Sequence, residues 1–260
     1  MLLNHEITTT DENAPWLVLL HGLFGSLDNL NGVKRALQNQ FNIVNIDLPD
    51  HGLSPRTDRF SFTDWAQRVE AVLDQANIQQ AHLLGHSLGG KVMMTLAQQS
   101  PKRATSLIVA DIAPTAYSPR HQNVLAALTG VTLDTITRRQ DADQQLKQHI
   151  TEPGVRQFLL KSLYADNHSW QWRFNLSLLQ RDYALLSDAI PDREPYEGPT
   201  LFIKGERSDY LGPQHQADIK RRFPNSSAKI IAATGHWLHA EKPEAFARVV
   251  SRFIDTVEQG

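Results

Sequence analysis

The chain has 260 residues, 41% of them hydrophobic, and a formal net charge of −2 from 26 basic and 28 acidic side chains. It contains no cysteine, which excludes disulfide bonds and thiolate metal sites. Its length suits one large α/β domain or a core domain with an insertion. The basic residues are spread along the chain, so neither nucleic acid nor an anionic membrane surface is an expected partner.

The N-terminal segment has neither the basic region nor the long apolar region of a secretory signal. No apolar run approaches the roughly 18–20 residues that a bilayer-spanning helix needs. These observations predict a soluble, cytoplasmic protein.

Short apolar runs alternate with amphipathic segments, which indicates a mostly parallel β-sheet covered by helices. The predicted strands are Leu3–Thr8 on an antiparallel edge, then Trp16–His21, Phe41–Ile46, Ala81–Leu84, Thr105–Ala110, Thr200–Lys204 and Lys229–Ala232. The helices predicted between and after them are Leu30–Gln38, Thr63–Asn77, Leu88–Gln99, Gln214–Arg222 and Glu244–Glu258.

The alternation stops between Asp111 and Pro199. This region has helical patterns without a convincing buried strand, at Gln122–Leu128, Thr135–Lys147, Val155–Leu163 and Asn175–Leu185. A helical segment between two core strands is typical of a lid inserted into a core domain. We therefore expect a helical cap over residues 112–198 and a core made of residues 1–111 and 199–260.

A G-x-S-x-G motif with Ser87 at its centre lies between a predicted strand and a predicted helix. Serine is a poor nucleophile unless a sharp strand-to-helix turn exposes its hydroxyl. The motif alone is common and is compatible with a chance glycine turn. The strand before it and the helix after it favour Ser87 as a catalytic nucleophile.

A general base for Ser87 is available on the loop that follows the last predicted strand. His236 lies there, preceded by Gly235, and an imidazole at this edge of the sheet can accept the serine proton and return it to the leaving group. The chain order, serine before histidine, fits this role. His239, three residues further on, is expected to be structural.

The first parallel strand ends in H-G-x-x-G, with His21 as its first residue. Such a glycine loop can turn backbone amides inward. The N–H groups of Leu23 and of Leu88, the residue after the nucleophile, would then bind the charge that develops on a substrate carbonyl oxygen. Without the serine motif, a plain glycine turn would be the simpler interpretation.

His51 is a second candidate base, in the segment D-L-P-D-H-G-L-S that begins at Asp47. It precedes the nucleophile in the chain and stands beside a glycine. We therefore expect a structural turn in which the His51 imidazole and the Asp47 carboxylate bind loop amides.

These motifs together resemble the α/β-hydrolase family, in the family's order and over nearly the whole chain. The pattern from Asp47 to Pro55, and the segment D-I-A-P that begins at Asp111, are similar to those of small bacterial esterases of the YbfF type. The chain departs from that branch at Pro49 and Asp50. The resemblance implies an α/β-hydrolase fold, with a mostly parallel sheet of about eight strands flanked by helices and an inserted helical lid.

The acid that orients His236 has two candidate positions in this family. One lies just past Gly205, where this chain has Ser208 and then Asp209; the other closes the strand after the nucleophile helix, at Asp111. The YbfF-type enzymes pair an aspartate at the second position with a serine at the first. A charged group closing a buried strand is costly unless paired, which also favours Asp111, assisted by Ser208. Asp209 stays as the alternative acid.

The predicted chemistry is hydrolysis of a small-molecule carboxylic ester through an acyl-enzyme on Ser87. The resemblance extends this to acyl-CoA thioesters. Neither a metal-ligand motif nor a dinucleotide fingerprint occurs, so no metal and no cofactor are predicted. The alternatives are a C–C bond hydrolase of the same fold acting on vinylogous diketones and a non-catalytic binding protein. Acyl specificity and oligomeric state are not predicted.

Overall fold

The computed structural model describes residues 1–166 and 169–260. The strands of these ranges are β1 (His5–Thr8), β2 (Trp16–Leu20), β3 (Asn42–Ile46), β4 (Ala81–His86), β5 (Ala104–Ala110), β6 (Leu163–Asp166), β7 (Ser169–Trp172), β8 (Thr200–Gly205) and β9 (Ser226–Ile231). Seven of them form one sheet in the order β1-β3-β2-β4-β5-β8-β9, and β6 and β7 form a separate hairpin.

The α-helices of the same ranges lie between and after these strands. They are α1 (Asn31–Leu37), α2 (Phe62–Gln75), α3 (Leu88–Gln99), α4 (Gln122–Gly130), α5 (Arg139–Leu146), α6 (Pro153–Leu160), α7 (Leu176–Arg181), α8 (Tyr183–Ser187), α9 (Gln216–Arg222), α10 (Leu238–Glu241) and α11 (Pro243–Glu258). Within the described ranges, no helix combines the length and the apolar character needed to cross a membrane.

Successive side chains of a strand point to opposite faces of the sheet, and both faces are buried under packed layers. In β2, Leu17 and Leu19 pack in the core layer that includes α1 and α11. Val18 and Leu20 pack in the opposite layer, with α2, α3 and α9. Near-continuous apolar strands of this kind are typical of a parallel sheet covered on both sides.

The strand register brings the ends of the central strands to one level. Leu20 of β2 is paired with Gly85 of β4. Ala110 of β5 is paired with His86 on one side and with Ile203 of β8 on the other. Since these strands are parallel, the loops that follow them leave the sheet side by side at a single edge.

The mostly parallel, helix-covered sheet confirms the predicted fold class, and α3 has the predicted bounds. The sheet has seven strands in the described residues, whereas about eight were expected. The strand β1 is the only one before β2 in the described part of the chain. It pairs antiparallel with β3 and forms one edge of the sheet.

The segment between β5 and β8, residues 112–198, is called the insertion below. It contains the helices α4 to α8, as its helical patterns indicate, and also an antiparallel hairpin of β6 and β7 that was not predicted. Leu163 and Trp172 pair at the buried end of the hairpin, and Asp166 and Ser169 pair at its exposed end. Strands of four residues are too short for their alternation to stand out in a sequence.

The helix predicted over Asn175–Leu185 is two helices, α7 and α8, separated at Asp182. The Asp182 carboxylate accepts a hydrogen bond from the Phe60 N–H at 2.9 Å and pairs with Arg181. This contact between the insertion and the core holds the chain at the break between the helices.

Candidate active site

Ser87 lies on the turn between β4 and α3, in the left-handed backbone region with φ of 52°. Its N–H donates to the Ala110 carbonyl at 2.9 Å, which anchors the turn to the end of β5. An added Cβ at Gly85 would lie 2.3 Å from the Gly89 carbonyl oxygen, so the turn needs glycine there. Backbone strain of this kind is typical of functional turns that expose a nucleophile.

His236 lies on the loop between β9 and α10, and its Nε2 is 3.1 Å from the Ser87 Oγ. The loop is held by the His86 Nε2–H, which donates to the His236 carbonyl at 2.9 Å. The Tyr210 ring stacks on the His236 imidazole, with centroids 4.0 Å apart and planes 23° apart. Sequence reasoning missed Tyr210, because no motif marks a residue whose contribution is a stacking contact.

Asp111 follows β5 and is fully buried. Its Oδ2 accepts a hydrogen bond from the His236 Nδ1 at 2.7 Å and another from the Ser208 hydroxyl. Its Oδ1 accepts from the Gly205 N–H at 3.0 Å. The carboxylate is thus paired on both oxygens, which is the condition for tolerating a charged group at this depth.

Asp209, the alternative acid, is not brought to His236. Its side chain is 79% exposed and pairs with Arg120 of the insertion at 2.6 Å. The geometry therefore joins Ser87, His236, Asp111 and Ser208 in one hydrogen-bonded chain and leaves Asp209 outside it.

The orientation of the Leu23 amide follows from the turn that precedes it. The Gly22 carbonyl accepts hydrogen bonds from the His21 Nδ1–H at 2.8 Å and from the Gly25 N–H at 3.1 Å. In a trans peptide the C=O and the next N–H point in opposite directions, so the Leu23 N–H points away from these donors. Leu88 is the first residue of α3, and its N–H has no acceptor within the helix.

His51 and Asp47 bind loop amides, which confirms the structural turn expected for this segment. The His51 Nε2 accepts from the Phe24 N–H at 3.1 Å. Asp47 accepts from the N–H groups of Leu27 at 2.7 Å and Leu53 at 2.9 Å. Burial lowers the pKa of His51 to about 3, so its imidazole is neutral and its ring is occupied in holding the loop.

Two further buried imidazoles lie near His236. The centroid of His86 is 4.8 Å from that of His236 and 4.3 Å from that of His239. Burial lowers the pKa of His239 to about 3 and that of His86 well below its ordinary value. Despite this proximity, residues 1–166 and 169–260 contain no group of three or more His, Asp or Glu side chains that could hold a metal ion.

Two cavities meet at Ser87. One has a volume of about 50 Å³ and extends along α3. The other has a volume of about 210 Å³ and is lined by apolar side chains of the insertion, including Val124, Val155 and Phe158. Leu23, His121 and Tyr210 line both cavities with Ser87. The Ser87 hydroxyl therefore faces two spaces of unequal size.

Lys91, one turn after Ser87 on α3, is buried beside the smaller cavity. Its Nζ donates to the carbonyls of Ser187 and Asp188 at the end of α8, which ties the nucleophile helix to the insertion. Burial lowers the pKa of Lys91 to about 7. Sequence reasoning missed this residue, although a lysine on an otherwise apolar helix was a visible signal.

Comparisons with known proteins agree with this architecture. A family model described as the alpha/beta hydrolase fold matches residues 15–243. The protein named Esterase YbfF, from Escherichia coli (strain K12), is 41% identical over 94% of this chain and 94% of its own length. An sn-1-specific diacylglycerol lipase of Xenopus laevis is 36% identical over 94% of this chain and 80% of its own.

A solved structure of a marine microorganism esterase superposes with a TM-score of 0.93 and 32% sequence identity, covering 97% of this chain and 99% of the other. The sequence likeness, the sheet order and the site at its carboxyl edge all point the same way. The chain belongs to the α/β-hydrolase family, among its esterase- and lipase-type hydrolases.

Proposed function

We propose that the chain hydrolyses small-molecule carboxylic esters through an acyl-enzyme on Ser87. The observation that carries the proposal is the unbroken hydrogen-bonded chain from Ser87 through His236 to Asp111, opening on two cavities. A hydroxyl, an imidazole and a buried carboxylate in this order are the parts that nucleophilic acyl transfer needs.

In the first step the Ser87 Oγ attacks the ester carbonyl carbon while the His236 Nε2 accepts the hydroxyl proton. Asp111 accepts from the His236 Nδ1–H, which keeps Nε2 free to act as the base. The negative charge that moves to the carbonyl oxygen is bound by the N–H groups of Leu23 and Leu88.

The tetrahedral intermediate then collapses, the bond to the alcohol oxygen breaks, and His236 returns its proton to the departing alcohol. A water molecule attacks the acyl-enzyme, with His236 accepting a proton from the water. Collapse of the second intermediate breaks the bond between the acyl carbon and the Ser87 Oγ and releases the carboxylic acid, while His236 returns its proton to Oγ. Thioesters follow the same steps, with a thiol as the leaving group.

The insertion, residues 112–198, is proposed to act as the cap that selects the substrate over a core of residues 1–111 and 199–260. Its apolar side chains line the larger cavity. There the Phe158 ring packs against the ring of the core residue Trp237, with centroids 5.7 Å apart. An apolar wall of this kind favours an acyl chain or an apolar alcohol over a charged group.

A hydrolysis panel tests the proposal. It comprises p-nitrophenyl esters from acetate to palmitate, acyl-CoA thioesters and a vinylogous diketone, each assayed with the wild type and with Ser87→Ala. Ester hydrolysis should fall by about 10⁵-fold or more in Ser87→Ala, since loss of a catalytic serine has an effect of this order. Ser118→Ala, which removes an exposed hydroxyl beside the smaller cavity, should stay within about threefold of wild type.

Substantial ester hydrolysis by Ser87→Ala would contradict the mechanism. Turnover of the diketone alone would identify a C–C bond hydrolase. A wild type inactive on every compound would favour the non-catalytic binding protein.

A further inference from the structure

Phe24, the residue after Leu23, is buried and has a φ of 62°, in the left-handed region that a residue with a side chain rarely adopts. Such a conformation persists only where the surroundings hold it. The contacts that hold Phe24 therefore help to determine where the Leu23 N–H lies.

Phe24 is held from two regions of the molecule. From the core, the His51 Nε2 accepts its N–H at 3.1 Å. From the insertion, the Ser162 hydroxyl donates to its carbonyl at 3.0 Å, and the Phe174 ring packs against its ring with centroids 5.2 Å apart. Ser162 is 138 positions away in sequence and only 4% exposed, so this hydroxyl is committed to the contact.

The insertion also contacts the loop that carries His51. The Asn175 N–H donates to the Asp50 carbonyl at 2.8 Å, and its Nδ2 donates to the Asp50 carboxylate at 2.8 Å. The His51 Nδ1–H donates to the Pro49 carbonyl at 2.8 Å, which leaves Nε2 as the acceptor for Phe24. Asp50, where the sequence departs from the YbfF-type pattern, is thus a point of attachment for the insertion.

A line of hydrogen bonds leads from Ser162 to the Leu23 amide. The carbonyl of Phe24 and the N–H of Gly25 belong to one peptide unit, and that N–H donates to the Gly22 carbonyl at 3.1 Å. The Gly22 carbonyl belongs in turn to the peptide unit whose N–H is that of Leu23. Hydrogen bonds in such a chain polarise one another and orient the peptide planes they join.

We propose that Ser162 is a positioning residue for the oxyanion hole, so that the insertion supports the chemical step as well as substrate selection. The inference rests on the proposed function, in which the Leu23 N–H binds the developing oxyanion. Ser162 does not touch the substrate in this account; it acts through the peptide units of Phe24 and Gly22.

The test compares Ser162→Ala with Ser162→Thr, which keeps a hydroxyl, on p-nitrophenyl butyrate. In Ser162→Ala, kcat should fall by about tenfold with KM within about twofold, a smaller effect than the 10²–10³ of losing an oxyanion donor outright. Affinity for a trifluoromethyl ketone, whose hemiketal oxyanion occupies the same site, should fall by the same factor as kcat/KM. Ser162→Thr should recover most of the loss in both measurements.

Tyr196→Phe is the matched control, because the Tyr196 hydroxyl makes a similar buried bond, at 3.0 Å to the Ala104 carbonyl, at the opposite end of β5. It should leave kcat and ketone affinity within about twofold of wild type. An unchanged kcat in Ser162→Ala, a loss confined to KM, or an equal loss in Tyr196→Phe would each overturn the proposal. Activity in Ser87→Ala would overturn the proposed function as well, so the two failures are distinguishable.

Discussion

The core and the insertion contribute differently to the site. Ser87, His236 and Asp111 all stand on core loops that leave the sheet at one edge. Ser87 and Asp111 are themselves in the left-handed backbone region, which the surrounding fold must hold. The insertion supplies none of these three side chains, yet it lines both cavities and contacts the loop before the Leu23 amide. The core thus places the three side chains of the hydrogen-bonded chain, whereas the insertion surrounds the cavities and supports the loop that carries the Leu23 amide.

The largest effect expected from a change in the core, apart from the loss of Ser87 itself, is that of Asp111→Asn. An amide cannot hold the His236 imidazole in the required tautomer, and kcat should fall by about 10³–10⁴-fold. Steady-state kinetics on p-nitrophenyl butyrate measures the effect.

Asp209→Asn is the control for this experiment, because the exposed Asp209 carboxylate pairs with Arg120 and not with His236. It should change kcat by less than about twofold. If Asp209→Asn abolished turnover while Asp111→Asn left it intact, the assignment of the acid would be reversed.

Acid should destabilise the core at the site edge. Burial lowers the pKa of His21 to about 4 and those of His51 and His239 to about 3, below the ordinary value near 6.5. As pH falls below 6.5 the unfolded chain binds protons that the folded chain does not, so the free energy of unfolding falls between pH 6.5 and about 4. Each histidine contributes about 1.4 kcal/mol per pH unit in this window.

Urea denaturation at pH 7 and pH 5 measures this loss. In His239→Gln the slope of the free energy of unfolding against pH should be smaller by about 1.4 kcal/mol per pH unit, the contribution of one proton. A free energy of unfolding that is equal at the two pH values in the wild type would contradict the neutral, buried state of these imidazoles.

A smaller and more selective effect is expected from the insertion. Phe158 lines the larger cavity, and Phe158→Ala should raise KM for long-chain esters by about tenfold while leaving kcat, and turnover of the acetate ester, nearly unchanged. Trp170→Ala removes an aromatic ring of the insertion that lines neither cavity, so it controls for general loosening of this region. An equal loss on acetate and palmitate esters in Phe158→Ala would show that the insertion acts on the chemistry at this position too.

The sequence was sufficient to predict the core, because most of its strands are continuous apolar runs that alternate with amphipathic helices, and α3 even has the predicted bounds. The site motifs were predictable for a related reason, since each depends on a local turn next to a strand end. The β6–β7 hairpin and the break at Asp182 were not predictable, because four-residue strands carry little periodicity and the break depends on a contact with Phe60. Tyr210 and Ser162 were missed because stacking and hydrogen bonds across more than 20 residues leave no local pattern.

The nucleophile itself is tested most directly by trapping it. Wild-type protein treated with a fluorophosphonate and analysed by peptide mass spectrometry should carry one adduct, on Ser87, in step with the loss of esterase activity. Ser87→Ala should remain unmodified, and Asp111→Asn should be labelled far more slowly than Asp209→Asn. Labelling of another residue, or full inactivation with Ser87 unmodified, would contradict an acyl-enzyme on Ser87.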